Sequence, residues 1–205
     1  MTILYFMRHA ESEANQQDIL ASQMDFELTS KGHSDAKAIA QQFLVQHHID
    51  RVISSPLLRA QQTAQAFLKP DLKLSIEPAV IEQDLGRFAG MSYAQLENEQ
   101  DYCHERSQRW LWQPNGGGES YEMIAQRLLP FFKQFDPNAE QALLVVTHAV
   151  TMRLIKALLE NSTPDYPHDI AHNGEVWKVE FKGLGIVHPI VSLMYANKGQ
   201  QAHRA

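Results

Sequence analysis

Apolar residues occur in short runs that predict strands. Residues 3–7 are Ile-Leu-Tyr-Phe-Met, and residues 142–146 are Ala-Leu-Leu-Val-Val. Each run is apolar or β-favouring and contains no turn signal, which is typical of a strand buried on both faces. Further strands are predicted at residues 50–55, 73–76, 175–181 and 186–194. The last of these is a candidate for antiparallel pairing.

The segments between the strands have helical patterns with recognisable starts. Thr29, Ser55 and Ser120 are residue types that cap helix N-termini, and Pro56 suits the first turn of the second helix. These helices are predicted to end near residues 48, 68 and 135, and a fourth helix covers residues 150–159. Pro130 lies inside the third helix, so we expect a kink or a break there.

The alternation of strands with helices predicts a three-layer α/β/α sandwich with a mostly parallel central sheet. We expect the strands at 3–7 and 142–146 to lie side by side at its centre. Residues 92–112 are instead rich in acidic and aromatic side chains, and three consecutive glycines follow at 116–118. This composition predicts one domain with a small helical cap inserted at about 92–118. The polar residues 196–205 are interpreted as a frayed tail.

Composition and charge exclude several classes of protein. The chain has 205 residues, a mass of 23.3 kDa and a formal net charge of −6 at pH 7. These values suit an α/β domain and argue against a general binder of nucleic acid or of anionic membranes. No run approaches the roughly 18 apolar residues of a membrane span. The single Cys103 excludes an intramolecular disulfide and is compatible with a reducing compartment, and its charged surroundings argue against thiol catalysis. We therefore predict a cytoplasmic location.

Polar side chains stand where the predicted strands end. Arg8 and His9 follow the first strand, and His148 follows the strand at 142–146. Since the carboxyl ends of parallel strands meet at one edge of a sheet, we expect these side chains to converge. Arg59 begins a helix, where the dipole disfavours a cation unless an anion is held nearby. With Glu82 as a proton donor, this set supplies what phosphoryl transfer requires: cations, an in-line nucleophile and an acid.

Two further histidines raise the alternative of a metal enzyme. His168 and His172 are four residues apart and would share one face of a helix. However, Pro164 and Pro167 leave little room for a helix, and Asp169 stands where zinc proteases of this pattern have glutamate. The sequence therefore favours a site that uses neither a metal nor another cofactor.

Six groups of residues occur in an order that is characteristic of one family. They are Arg8-His9 with Glu11 and Asn15, Leu28-Thr29 with Gly32 and Ala36, Ser54-Ser55-Pro56-Leu57 with Arg59-Ala60 and Gln62-Thr63-Ala64, Glu82 with Gly86 and Gly90, Gly117-Gly118-Glu119-Ser120, and Thr147-His148. Their joint presence makes almost the whole chain resemble the histidine phosphatase superfamily, also called the phosphoglycerate-mutase-like family.

The resemblance implies a metal-independent phosphatase that hydrolyses a small phosphate monoester through a phosphohistidine intermediate. By this resemblance, His9 would be the nucleophile and Glu82 would protonate the leaving group. The phosphate pocket would consist of Arg8, Asn15, Arg59 and His148. A small phosphorylated substrate is the expected partner, with neither nucleic acid nor membrane, and a homodimer remains open.

The sequence departs from the family pattern at Ala10 and Ala149, where glycine usually or often follows the two histidines. If either position required a positive φ, alanine would cost roughly 1 kcal/mol or more. The alternatives are a phosphoglycerate mutase and a non-enzymatic phospholigand-binding protein. Mutases of this type are usually longer, small phosphohistidine phosphatases typically lack both the Glu82 loop and the cap, and every catalytic group is retained here. A phosphatase is therefore preferred.

Overall fold

The apolar runs form a six-stranded sheet in a computed structural model of the chain, which describes residues 1–194. The tail predicted at 196–205 lies outside the described residues. In chain order the strands are β1 (Thr2–Arg8), β2 (Arg51–Ser54), β3 (Leu74–Ile76), β4 (Gln141–Thr147), β5 (Val176–Phe181) and β6 (Ile190–Met194). Their order across the sheet is β3-β2-β4-β1-β5-β6.

The sheet is parallel from β3 to β1 and antiparallel at its other side. β1 and β4 pair in parallel at the centre, with Leu4 opposite Leu143 and Arg8 opposite Thr147. β2 pairs in parallel with both β3 and β4, whereas β5 and β6 are antiparallel to their neighbours. The predicted central pair and the antiparallel last strand are therefore both present.

Helices cover both faces of the sheet, which confirms the predicted α/β fold. They are α1 (Glu13–Gln16), α2 (Ser30–Gln46), α3 (Leu58–Gln65), α4 (Tyr93–Leu96), α5 (Tyr121–Lys133) and α6 (Ala149–Leu159). Phe43 of α2 and Ala64 of α3 pack in one core with Met7, while Phe132 of α5 packs in the other with Phe6. Successive residues of β1 thus face opposite layers. Within residues 1–194, no helix combines the length and the hydropathy that a membrane crossing requires.

The predicted start of α3 was wrong by two residues. The helix begins at Leu58, and its N-cap Leu57 provides no side-chain cap. The Ser55 hydroxyl accepts a bond from the Leu57 amide at 3.3 Å, but it also lies 2.7 Å from Nε2 of His148. Ser55 therefore connects two strand ends and is not the N-cap of the helix.

The predicted kink at Pro130 is not a break, because α5 continues through this residue. Pro130 and Gln126, whose carbonyl loses its usual helical donor, are both exposed, so water can bind that carbonyl. The last strand is also shorter than predicted. It begins at Ile190, since a turn with Gly185 at a φ of 81° occupies the residues before it.

The segment 92–118 contains little regular structure. It holds α4 and a short 3₁₀ turn at Arg106–Gln108, so its helical content is low for a helical cap. Most of its apolar side chains, including Leu96 and the half-buried Trp112, pack in a separate cluster with Leu20, Leu85 and Phe88, whereas Trp110 packs against one core of the sheet. The cap segment therefore rests on the loops that precede it.

Gly86 allows the cap segment to return to these loops. Its φ is 54°, and a Cβ at this position would lie 2.2 Å from the carbonyl oxygen of Asn115. The next amide, of Arg87, donates to the same oxygen at 2.8 Å. Only glycine fits this close approach of two backbones.

Candidate active site

The strand register brings the two histidines of the predicted site together. Arg8 and Thr147 are opposite one another across β1 and β4, so His9 and His148 follow at the same level. The His9 amide donates to the Thr147 carbonyl at 2.9 Å, and the two imidazole centroids are 5.2 Å apart. Both histidines therefore lie within reach of one phosphate group.

A cleft of about 70 Å³ opens at this edge of the sheet. Five of the six predicted site residues line it, namely Arg8, His9, Asn15, Arg59 and Glu82. The sixth, His148, is fully buried and packs against the His9 ring. Two larger cavities, of about 280 and 330 Å³, contain none of the six residues. We therefore identify the small cleft as the candidate active site from the residues that line it and not from its volume.

The tautomer of His9 is fixed by its own loop. Its Nδ1 lies 2.7 Å from the carbonyl oxygen of Ala10, which can only accept, so Nδ1 carries the proton and Nε2 carries the lone pair. Burial, followed by the cations of Arg59 and Arg8, holds the pKa of His9 well below its usual range. His9 is therefore a neutral imidazole at physiological pH, with Nε2 available for attack.

Arg8 and Arg59 are held by main-chain carbonyls instead of carboxylates. One Nη of Arg8 donates to the Ala171 carbonyl at 2.8 Å, and the two Nη of Arg59 donate to Ser22 and Met24, each at 2.8 Å. Burial lowers the pKa of both guanidiniums, that of Arg59 to about 10, so Arg59 remains a cation at neutral pH. Arg8 is taken as a cation because arginine side chains stay protonated in proteins. These bonds fix the orientation of two positive charges without neutralising them.

Three buried polar atoms of this site have no protein partner. In the described part of the chain, the buried side-chain atoms without a hydrogen bond are Nε of Arg8, Nε of Arg59, Nδ1 of His148 and the hydroxyl of Tyr166. Buried polar groups are normally paired, so such atoms need an explanation. Three of them belong to Arg8, Arg59 and His148, the residues whose charge or ring lies beside His9.

Asn15 and Asn173 connect the helix after β1 to the segment before β5. The Oδ1 of Asn15 accepts bonds from the amide and hydroxyl of Ser12 and from Nδ2 of Asn173, at 2.9 to 3.0 Å. The Asn173 amide also donates to the His9 carbonyl at 3.0 Å. Because Oδ1 of Asn15 is fully used, its N–H donors are the groups left for a ligand. The sequence analysis did not select Asn173.

The Glu82 carboxyl group lies at the N-terminus of α6. It accepts bonds from the amides of Gln83, Val150 and Thr151 at 2.9 to 3.3 Å, and from the Thr151 hydroxyl at 3.3 Å. Glu82 thus joins its own loop to the helix that follows His148, while it lines the cleft. Its position suits a proton donor, and its bonds also give it a structural role.

Arg127 of α5 positions the Glu82 loop from behind. Its guanidinium donates to the carbonyls of Ala79 and Ile81 at 2.5 and 2.8 Å and forms a salt bridge with Glu119 at 2.8 Å. Glu119 also accepts a bond from the Asp84 amide at 3.0 Å. Glu119 appeared in the sequence only as part of a motif, and Arg127 gave no signal, because its partners are carbonyls more than 40 residues away in the chain.

The two alanines that replace glycine carry no backbone strain. The non-glycine residues with positive φ in the described range are Asp18, Ser22 and Asn161, so neither Ala10 nor Ala149 is among them. Ala10 is fully buried, and Ala149 starts α6 and lines the cleft. The only effect of Ala149 that the structure shows is a methyl group in the wall of the cleft.

The alternative metal site lacks the helix that it needs. His168 and His172 lie in an irregular segment between α6 and β5, so they do not share a helix face. In the described range, no group of three or more His, Cys, Asp or Glu side chains is arranged to hold a metal ion.

Sequence comparison assigns the family. The profile of the histidine phosphatase superfamily (branch 1) matches residues 4–188, and the chain therefore belongs to this superfamily. It is 32% identical over 165 residues to phosphoserine phosphatase 1 of Hydrogenobacter thermophilus, covering 78% of this chain and 76% of that protein. It is 31% identical over 173 residues to a 2,3-bisphosphoglycerate-dependent phosphoglycerate mutase of Methylocella silvestris, covering 79% and 83%.

Structural comparison supports the same fold. The alpha-ribazole phosphatase of Shigella flexneri superposes with a TM-score of 0.76 at 24% identity, over 98% of this chain and all of that chain. At this identity the similarity establishes the fold and not the substrate. The named relatives are phosphatases and mutases, which supports hydrolase activity on phosphate compounds at a coarse level.

The buried histidines should make stability depend on pH. The pKa of His9 and of His148 is held well below the ordinary value of 6.5, first by burial and then by Arg59. Below pH 6.5 the unfolded chain binds more protons than the folded one, so the free energy of unfolding falls as the pH drops. Each group contributes at most about 1.4 kcal/mol per pH unit.

Urea unfolding between about pH 7.5 and 5 measures this dependence. We expect His148→Gln, which cannot titrate, to show a shallower slope than the wild type. Equal slopes for the wild type and the variant would contradict a neutral, buried His148.

Proposed function

We propose that the chain is a metal-independent phosphatase that hydrolyses a small phosphate monoester through a phosphohistidine on His9. The observation that carries the proposal is the set of unpartnered buried atoms around His9: Nε of Arg8, Nε of Arg59 and Nδ1 of His148. A phosphate group brings oxygens that only accept from such donors, and it brings the negative charge that the two guanidiniums require.

In the first step, Nε2 of His9 attacks phosphorus and the bond to the leaving oxygen breaks. The leaving alkoxide takes a proton from the Glu82 carboxylic acid. Arg8, Arg59 and His148 bind the other phosphate oxygens, and Asn15 adds its amide N–H. The two guanidiniums neutralise charge in the transition state and keep His9 unprotonated.

In the second step, water attacks the phosphohistidine and gives a proton to the Glu82 carboxylate. The bond between phosphorus and Nε2 breaks, inorganic phosphate leaves, and His9 and Glu82 return to their starting states. The same carboxyl group thus serves as an acid and then as a base.

The Ser55 hydroxyl supports the role of His148 as a donor. It lies 2.7 Å from Nε2 of His148, and when it donates there, the proton of the neutral ring is on Nδ1. Nδ1 is the unpartnered atom. Ser55 would therefore set the tautomer that presents an N–H to the phosphate.

An assay with two substrates tests the proposal. Protein treated with a chelator should release phosphate from p-nitrophenyl phosphate at the untreated rate. With 3-phosphoglycerate and 2,3-bisphosphoglycerate, it should not form 2-phosphoglycerate. Isomerisation without net hydrolysis would instead identify a mutase, binding without turnover would identify a phospholigand-binding protein, and a strict requirement for added metal would reject the mechanism.

Arg59 should matter for its forked geometry as well as for its charge. Lysine cannot bind the carbonyls of Ser22 and Met24 and also a phosphate oxygen, so Arg59→Lys should lower kcat/KM by roughly 10²-fold or more. Arg87→Lys is the matched control, because Arg87 pairs with Glu99 at 2.8 Å on the surface. A similar loss in both variants, or none in either, would contradict the role of Arg59.

A further inference from the structure

The wall of the cleft beyond the phosphate-binding groups carries no charge. The described residues with acidic or basic side chains that line the cleft are Arg8, His9, Arg59 and Glu82, and all four belong to the phosphate site. Apart from Asn15, the other lining residues are Ser12, Ile19, Leu20, Ala21, Ser22, Gln83, Leu85, Tyr93, Ala149 and Val150. Six of these ten side chains are aliphatic, and the other four are neutral. The Ser12 hydroxyl is bound to Asn15, the Ser22 hydroxyl to the Gln83 carbonyl and the Gln83 side chain to the Glu119 carbonyl, while burial raises the pKa of the half-buried Tyr93.

Four arginines of the elements around the cleft are engaged elsewhere. Arg127 is bound to Glu119, and Arg87 is bound to Glu99. Arg109 and Arg153 are buried near the cap segment, but they donate to tyrosine hydroxyls and main-chain carbonyls and do not line the cleft. In the part of the chain that the structure describes, no further cation faces the space next to the phosphate.

The size of the cleft places the rest of the substrate against this wall. Its volume of about 70 Å³ is small beside the roughly 300–1,000 Å³ of ordinary ligand pockets, so the enclosed space fits a phosphate group and little more. The alcohol part of the ester must then lie at the mouth of the cleft. A carboxylate or a second phosphate there would be desolvated by aliphatic side chains without a cation to pair with.

We infer that the substrate is a phosphate monoester of an uncharged alcohol with apolar surface, and that esters with a second anionic group are poor substrates. This inference rests on the proposed phosphate site. It separates the chain from phosphoserine and from phosphoglycerates, which are the compounds in the names of its sequence relatives.

A matched pair of esters tests the inference. n-Pentyl phosphate and the phosphate ester of 5-hydroxypentanoate have similar leaving groups and differ in one terminal carboxylate. We expect kcat/KM to be at least about 10-fold higher for n-pentyl phosphate than for the ester that carries the carboxylate. Equal rates, or a preference for the carboxylated ester, would overturn the inference while leaving a phosphatase.

The non-hydrolysable pair n-pentylphosphonate and 5-phosphonopentanoate measures binding without turnover. Calorimetry should give the same order of affinity. Suppose that the protein hydrolyses neither ester but binds n-pentylphosphonate more tightly than 5-phosphonopentanoate. This result would support the inference and reject the proposed activity. Failure to bind either phosphonate would reject both.

A cation added to the wall should reverse the preference. Ala21 is half-buried and lines the cleft. Ala21→Arg should therefore raise the ratio of kcat/KM for the ester with the carboxylate to kcat/KM for n-pentyl phosphate by at least about 10-fold. Ala21→Gln is the matched uncharged control and should leave the ratio unchanged. Ile19→Arg, at a second half-buried position of the wall, repeats the test if Ala21→Arg does not fold. An unchanged ratio in the folded arginine variants would overturn the inference.

Discussion

His9→Ala should abolish turnover and the phosphoenzyme together. The side chain that would receive the phosphate is removed, so we expect kcat/KM to fall by roughly 10⁴-fold or more. Acid lability distinguishes a phosphohistidine from a phosphoserine. Rapid quenching with radiolabelled substrate should therefore trap an acid-labile, alkali-stable label in the wild type and no label in the variant.

Other histidines provide the controls for this experiment. His48 is exposed and pairs with Asp50 at 2.9 Å, so His48→Ala should keep both the activity and the label. His148→Ala should lose rate but keep a labelled His9. If His148→Ala lost the label and His9→Ala kept it, the nucleophile would be His148 and not His9. His9→Gln repeats the test with a side chain of similar size, and thermal unfolding monitors the fold of each variant.

Glu82→Gln should slow substrates according to their leaving groups. An alkoxide needs the proton that Glu82 would donate, whereas p-nitrophenolate leaves without it. We therefore expect kcat/KM to fall by roughly 10²- to 10⁴-fold for an alkyl phosphate and by less than about 10-fold for p-nitrophenyl phosphate. Since kcat/KM reports only the steps up to the first irreversible one, the later water attack does not mask the difference.

Thr151→Val separates the chemical role of Glu82 from its structural one. The Thr151 hydroxyl binds the Ile81 carbonyl at 2.6 Å and the Glu82 carboxyl group at 3.3 Å, so its loss should loosen the loop for every substrate alike. Equal losses on both substrates in Glu82→Gln would match this pattern. They would mean that Glu82 only attaches its loop to α6.

The central strands could be predicted because each is marked by a run of neighbouring apolar residues in the sequence. The runs at 3–7 and 142–146 are apolar at every position, and a strand covered on both faces buries nearly all of such a run, with Ile3 left partly buried. The positions at which some elements begin were predicted less accurately. β6 and the start of α3 depend on a turn and on a contact with His148, which are not visible in a local pattern.

The convergence of Arg8, His9 and His148 followed from the same strand ends, but the groups that orient the site residues did not. The carbonyl that holds Arg8 belongs to Ala171, and the amide that fixes Asn15 belongs to Asn173. These contacts join residues that are 163 and 158 positions apart in the chain, and a carbonyl is present at every residue, so no residue type marks it. The concern about Ala10 was also beyond the sequence, since φ at this position is known only from the backbone.

The attachment of the cap segment has a consequence for how this scaffold can diversify. The segment leaves the Glu82 loop after Gly90 and returns to it through Asn115 and Glu119, whose backbones bond to Arg87 and Asp84 at 2.8 Å. Both of its ends are therefore anchored in one loop, and most of its apolar side chains pack in a separate cluster, with Trp110 against one sheet core. A segment of different length or sequence could replace it between Gly90 and Asn115 if the Trp110 contact were kept. Tyr93 is the residue of this segment that lines the cleft, so such an exchange would alter the wall at that position and leave the phosphate-binding groups in place.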